Sequence, residues 1–226
     1  MKKNENIDAK RIWLSAFIPV LFLFIIWLIK CVETLFNLDF SQWGVYPLKA
    51  KGLWGILFSP LIHGSFDHLL SNTLPLLILG TMLFYFYSKP ALKVFLLLYF
   101  ITGIWVWFGA RPAIHIGASG IVYGLVSFIF VSGVLVKSIP LLAISLLVVF
   151  LYGGIIWGMF PIDWKISWES HLSGFILGII LAIFYKKENR YLQPKLPDWM
   201  NDDEEESEEK NDELPYWKNE DNTNII

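Results

Sequence analysis

The 226-residue chain has one cysteine, four histidines and, over most of its length, very few acidic residues. With Cys31 alone, no internal disulfide and no cysteine-based zinc site can form, and the residue reads as a filler in an apolar helix. Four histidines without a His-Glu-x-x-His or a repeated histidine motif are too few for a membrane metalloenzyme, so no metal and no cofactor are expected. Between Ile12 and Tyr185 the acidic residues are Glu33, Asp39, Asp67, Asp163 and Glu169, joined by eight basic ones. Roughly 7% of that stretch is therefore charged, against about a quarter in soluble chains. Such a body excludes a disordered protein, a basic nucleic-acid binder and a cytosolic enzyme.

What is present is apolar surface: 55% of residues are hydrophobic and the mean hydropathy is +0.53. Lipid offers the backbone no hydrogen-bond partners, so long unbroken apolar runs predict spanning helices. Six such runs occur, at Ile12 to Phe36, Phe66 to Tyr87, Ala91 to Phe108, Ser119 to Val136, Ile139 to Met159 and Glu169 to Tyr185. The first follows Met1-Lys2-Lys3 but is long and lacks a small-residue cleavage site, so it reads as a membrane anchor rather than a signal peptide. The expectation is an all-α membrane protein of six helices with membrane lipids around it, residues 1–11 cytoplasmic, 12–185 the helical domain and 186–226 a disordered cytoplasmic tail.

Basic residues set the orientation, because cytoplasmic loops retain Lys and Arg. With the N-terminus inside, the inner side collects Lys2, Lys3, Lys10, Arg11, Lys89, Lys93, Lys137, Lys186, Lys187, Arg190 and Lys195, and the outer side only Lys30, Lys49, Lys51, Arg111 and Lys165. Both termini are then cytoplasmic, and the outer loops are Asn37 to Ser65, Gly109 to Ala118 and Phe160 to Trp168. Trp43, Trp54, Trp157, Trp164 and Trp168 fall where an outer aromatic belt would lie. Past Tyr185 the chain turns acidic, almost continuously so from Asp202 to Glu209, and such a block self-repels without a core to bury. Leu196-Pro197-Asp198-Trp199 recurs there as Leu214-Pro215-Tyr216-Trp217, a pattern that would suit docking of a cytoplasmic partner.

Polar side chains inside a membrane are costly and each needs a reason. Four stand out: His68, Asn72, Ser119 and His171. From His171 to Lys186 is 15 steps, about 22 Å of helix. Ser119 to Lys137 is about 27 Å and Asn72 to Lys89 about 26 Å, so three helices bring polar groups to one shallow outer depth. His68 and Asn72, four apart, share a helical face. Gly117 and Ala118 form a turn ahead of Ser119, which opens a helix whose unpaired N–H groups and dipole can stabilise an anion. Gly120 and Gly124 stripe one helix, Gly174 and Gly178 another, and stripes of small residues let helices approach closely in lipid. That approach would carry the Ser119 hydroxyl towards an imidazole nitrogen of His171, giving a poor nucleophile the base it needs. His68, Asn72 and the Ser119 amide are the donors available to a developing oxyanion. Tyr123, one turn below Ser119, is placed to stack on His171.

Singly, these residues have plainer readings. Ser119 reads as a helix N-cap, His68 and Asn72 as interhelical glue, His171 as a capping or interfacial histidine, His63 and His115 as structural or interfacial, and Arg111 as a surface or headgroup contact. Glu169 lies two residues from His171, on another face, and is not assigned as its orienter.

Taken together, His63-Gly64-Ser65-Phe66-Asp67-His68-Leu69-Leu70-Ser71-Asn72, then Gly117-Ala118-Ser119-Gly120 with Tyr123, then His171 with Gly174 and Gly178, resemble the rhomboid intramembrane serine proteases over about residues 52 to 185. The resemblance implies a six-transmembrane-helix rhomboid-like bundle with a long first outer loop. It implies a Ser119 nucleophile, His171 as general base and acid without a third acid, and an oxyanion site of His68, Asn72 and the Ser119 amide, with Tyr123 packed on His171. Substrates would be single-span transmembrane proteins cut within or near the outer part of the bilayer of a bacterial cell membrane. An inactive rhomboid-like scaffold that binds transmembrane helices is the other reading. One feature departs from the pattern: many rhomboids carry a Trp-Arg pair in the first outer loop, and none occurs between Asn37 and Ser65.

Overall fold

A computed structural model describes residues 2–136, 142–143, 146–147, 150 and 157–189. Most of the expected fifth span, with Tyr152, Gly153 and Gly154, lies outside the described residues, as does the acidic tail with its repeated Leu-Pro-x-Trp. Among the described residues there are seven helices and no strand: α1 (Lys2–Leu35), α2 (Trp54–Phe58), α3 (Phe66–Phe86), α4 (Ala91–Gly109), α5 (Ser119–Val136), α6 (Trp168–Phe184) and α7 (Lys186–Asn189). The protein is all-α, as its apolar runs require.

Among the described residues, three stretches are long and apolar enough to cross a membrane: Ala9–Leu35, Phe66–Phe86 and Ala91–Gly109. Their outward faces are as apolar as their inward ones. On α1, Phe22, Leu23 and Ile26 are buried while Trp13 is 78% and Phe24 62% exposed, a distribution that suits lipid and not water. The apolar helices Ser119–Leu135 and Trp168–Phe184 are shorter. Seventeen residues rise about 26 Å, less than a hydrocarbon core of roughly 30 Å. Such helices can leave their N-terminal ends below the surface, where a polar cleft can open.

Helix α5 is the central element. Ile121, Val122, Leu125, Phe128 and Ile129 are all buried, and a helix apolar all round belongs in the middle of a bundle. It makes its most extensive contact with α6 and also touches α3 and α4, while α1 packs on α3. The contact with α6 is set by glycine. A Cβ on Gly174 would fall inside the Gly120 carbonyl, and one on Gly178 would collide with the Gly124 carbonyl and the Ser127 hydroxyl. Backbones are thus in direct contact along the stripes that the sequence displays.

The segment between α1 and α3 is folded, with three short 3-10 turns around α2. The Tyr99 hydroxyl of α4 donates to the Leu57 carbonyl of α2. Val45 and His115 exchange both backbone hydrogen bonds, at 2.9 and 2.8 Å, joining the first loop to the loop that precedes α5.

Two boundaries differ from expectation. Helix α1 starts at Lys2, inside the stretch expected to be a cytoplasmic lead-in, because once a long apolar helix is nucleated each further residue adds a hydrogen bond for little extra entropy. The disorder expected from Lys186 onward does not hold for Lys186–Asn189, which form α7 after the buried Tyr185.

Candidate active site

Ala118, not Ser119, closes the first turn of α5: its carbonyl accepts from the amides of Ile121 and Val122, at 3.0 and 3.2 Å. The N-cap reading of Ser119 is thereby corrected. As the first helical residue, Ser119 keeps its side chain free of capping and its N–H free of an intrahelical acceptor. The turn before it needs glycine, since Gly117 has φ of +107° and a Cβ there would stand 2.7 Å from Cε1 of His68.

The Ser119 hydroxyl lies 2.7 Å from Nε2 of His171. The other ring nitrogen, Nδ1, is 2.8 Å from the carbonyl of Gly158. That second contact fixes the tautomer: a carbonyl only accepts, so Nδ1 carries the proton and Nε2 offers a lone pair to the serine O–H. Tyr123 stacks on the imidazole with ring centroids 4.2 Å apart and planes 9° from parallel, which pins the ring's tilt. The orienting group is therefore a backbone carbonyl, and Glu169 indeed turns elsewhere. No sequence pattern could reveal Gly158, because the functional group belongs to the main chain that every residue shares.

His68 and Asn72 rise one turn apart on α3, which starts cleanly because the Ser65 hydroxyl accepts from the His68 amide at 3.1 Å. Asn72 is buried, and its Nδ2 donates to the His68 carbonyl at 3.0 Å, which occupies one of its two hydrogens and leaves the other. His68, Asn72, Ser119, Tyr123 and His171 all line one cleft of about 680 Å³. Its volume suits an extended peptide segment rather than a bare water.

His63 and His115 are both structural, and both are buried rather than interfacial. His63 Nε2 accepts from the Ala118 amide at 3.4 Å, so it steadies the loop before Ser119. Burial holds it neutral, its pKa pushed down to about 3, which keeps a lone pair available for that amide. His115 is shifted down as well, first by burial. Arg111, read from sequence as a headgroup contact, instead pairs with Glu169 at 3.4 Å. Among the described residues no group of three or more His, Cys, Asp or Glu is disposed to hold a metal.

Residues 50–188 match the Rhomboid domain family. The chain is 32% identical over 178 residues to uncharacterized proteins of Mycobacterium tuberculosis and Mycobacterium bovis, covering 75% of this chain and 74% of each relative. It is 30% identical over 201 residues to an uncharacterized protein of Mycobacterium leprae, covering 83% of this chain and 79% of that one.

Proposed function

The chain belongs to the rhomboid family, and on that premise we propose that it is an intramembrane serine endopeptidase that cuts transmembrane-segment substrates in or near the outer part of the bilayer. The observation that carries the reading is the paired contact of His171, whose Nδ1 donates to Gly158 while Nε2 faces the Ser119 hydroxyl at 2.7 Å. A helix-binding scaffold has no use for an imidazole held in the tautomer that accepts a serine proton.

In the proposed reaction the Ser119 oxygen attacks the scissile carbonyl as Nε2 takes its proton. The resulting oxyanion is met by the Ser119 amide, the free hydrogen of the Asn72 amide and His68. Protonated His171 then gives its proton to the leaving amine, and the peptide C–N bond breaks to leave an ester on Ser119. Water attacks that ester, His171 taking the water's proton and returning it to Ser119. The substrate must bring an accessible carbonyl, so its helix has to unwind at the cut, and small or helix-breaking residues are expected there.

The topology that fits this chemistry has six spans. Residues 12–185 form the protease domain, residues 1–11 and the tail 186–226 lie in the cytoplasm, and the cleft opens outward across a bacterial cell membrane. The short α5 and α6, the exposed tryptophans Trp43, Trp54, Trp157 and Trp164, and the inner bias of Lys and Arg support it.

The test uses purified protein in liposomes, a model single-span substrate and a fluorophosphonate probe. Product formation by the wild type, with the probe found on Ser119 by peptide mass spectrometry, is the expected result. Binding of the substrate without any cleavage or labelling would replace this reading with the scaffold.

A further inference from the structure

Two charged groups close to the dyad in the chain take no part in the steps above. Arg111 stands eight residues before Ser119, and Glu169 two before His171. The guanidinium reaches across between the two loops: Nη2 donates to the carbonyls of Trp164 at 2.9 Å and Ile166 at 2.8 Å. Nη1 faces Oε2 of Glu169 at 3.4 Å, and the Arg111 amide donates to Oε1 at 3.3 Å. Its central carbon also lies 5.3 Å from the centroid of the Trp164 ring. Arg111 Nη1 and Glu169 Oε2 are both buried and have no hydrogen-bond partner among the described residues, so each charge is compensated chiefly by the other.

A second tie runs alongside. His115 is buried and neutral, and its Nε2 is 3.1 Å from the Arg111 carbonyl, so that nitrogen carries the proton. Nδ1 is then an acceptor, and the Ser167 hydroxyl donates to it at 2.6 Å. Ser167 is the residue immediately before α6. The chain entering the nucleophile's helix is therefore fastened twice to the chain entering the base's helix. Glycine contacts hold α5 against α6 from Gly120 and Ser170 inward, and the fastening extends that hold to the chains that lead into the two helices.

We infer that Arg111 is a positioning residue for the dyad. Through Glu169 and the Trp164 and Ile166 carbonyls it fixes the height and rotation of the first turn of α6, and with them the distance from His171 Nε2 to the Ser119 hydroxyl. The planar fork is required, because it serves two carbonyls and a carboxylate at once, which a lysine ammonium on a flexible stem cannot. This inference rests on the protease reading.

The test measures cleavage of the single-span substrate in liposomes together with the rate at which the fluorophosphonate labels Ser119, both per folded molecule as judged by thermal unfolding in detergent. Arg111→Gln is expected to lower kcat about 10-fold or more while KM stays within about twofold, and to slow labelling in the same proportion, because the small probe senses only the dyad. Arg111→Lys should recover part of that loss. Ser167→Ala, a smaller truncation, should lower kcat by about threefold to fivefold and serves if Arg111→Gln does not fold. Unchanged kcat per folded molecule in Arg111→Gln, or in Ser167→Ala where the first variant is unfolded, overturns the inference. So does a raised KM with normal labelling, which would make Arg111 part of the substrate's wall. In each of these cases the wild type still cuts. A wild type that neither cuts nor labels removes the protease reading instead, and this inference with it.

Discussion

Ser119→Ala, His171→Ala and the double variant should all fall to one common floor, at least about 10⁴-fold below wild type in kcat for a single-span substrate. The reason is that the two side chains form one device. The hydroxyl is a weak nucleophile until Nε2, 2.7 Å away, accepts its proton, and the base has nothing to deprotonate once the oxygen is gone. The second substitution therefore removes nothing that the first has left. What should survive is the contribution of the proposed oxyanion donors, the Ser119 amide among them, since alanine keeps that N–H. Labelling adds a separate check: His171→Ala should still bear the fluorophosphonate at a much reduced rate, and Ser119→Ala should not bear it at all. Additive losses, or substantial cleavage by Ser119→Ala, would mean that another nucleophile does the work.

Gly174→Val should be nearly as damaging, from a residue that touches no substrate. Even a single Cβ at Gly174 would overlap the Gly120 carbonyl, and the obstacle is backbone, which no rotamer change can clear. The helices must separate or slide. Overpacking of this kind costs about 1–3 kcal/mol and sometimes more. A shift of 1 Å between catalytic groups can remove about 100-fold in rate, and here the displaced helix carries His171 one turn above the substitution. We expect a lowered unfolding temperature in detergent and loss of roughly 99% of activity in whatever folds. Gly109→Ala supplies the contrast. Nothing lies within 4 Å of a Cβ built there, and it should behave as wild type. If Gly174→Val were equally harmless, direct backbone contact between α5 and α6 could not be what sets the dyad.

Much of this was legible in one dimension. Apolar runs are periodicity-free and long, so the helices at Phe66–Phe86, Ala91–Gly109 and Ser119–Val136 start and stop within a residue or so of where composition places them. The polar residues of the site were legible for the opposite reason: in a body with so little charge, His68, Asn72, Ser119 and His171 have no background to hide in. They share one cleft, as their common depth suggested, and Tyr123 stacks on His171 where its place one turn below Ser119 allows it.

The rest was not legible, and the cause differs from case to case. Arg111 and Glu169 are 58 residues apart, and nothing local marks a buried pair. A lone arginine in an outer loop looks the same whether it meets a headgroup or a carboxylate. His63 and His115 carry no sign of which amide or hydroxyl they hold. The Gly158 carbonyl has no side-chain signature at all.

The sequence by itself determined that the chain is helical and membrane-bound and which side chains could perform chemistry, because hydropathy and residue type are local properties that lipid reads directly. Only the tertiary structure decided how Ser119 and His171 are held: which carbonyl fixes the tautomer of His171, which backbones touch, and which ion pair links the loop before α5 to α6. Those depend on groups brought within hydrogen-bond range across dozens of residues, and a distance of a few tenths of an ångström is a property of the packed bundle rather than of any segment.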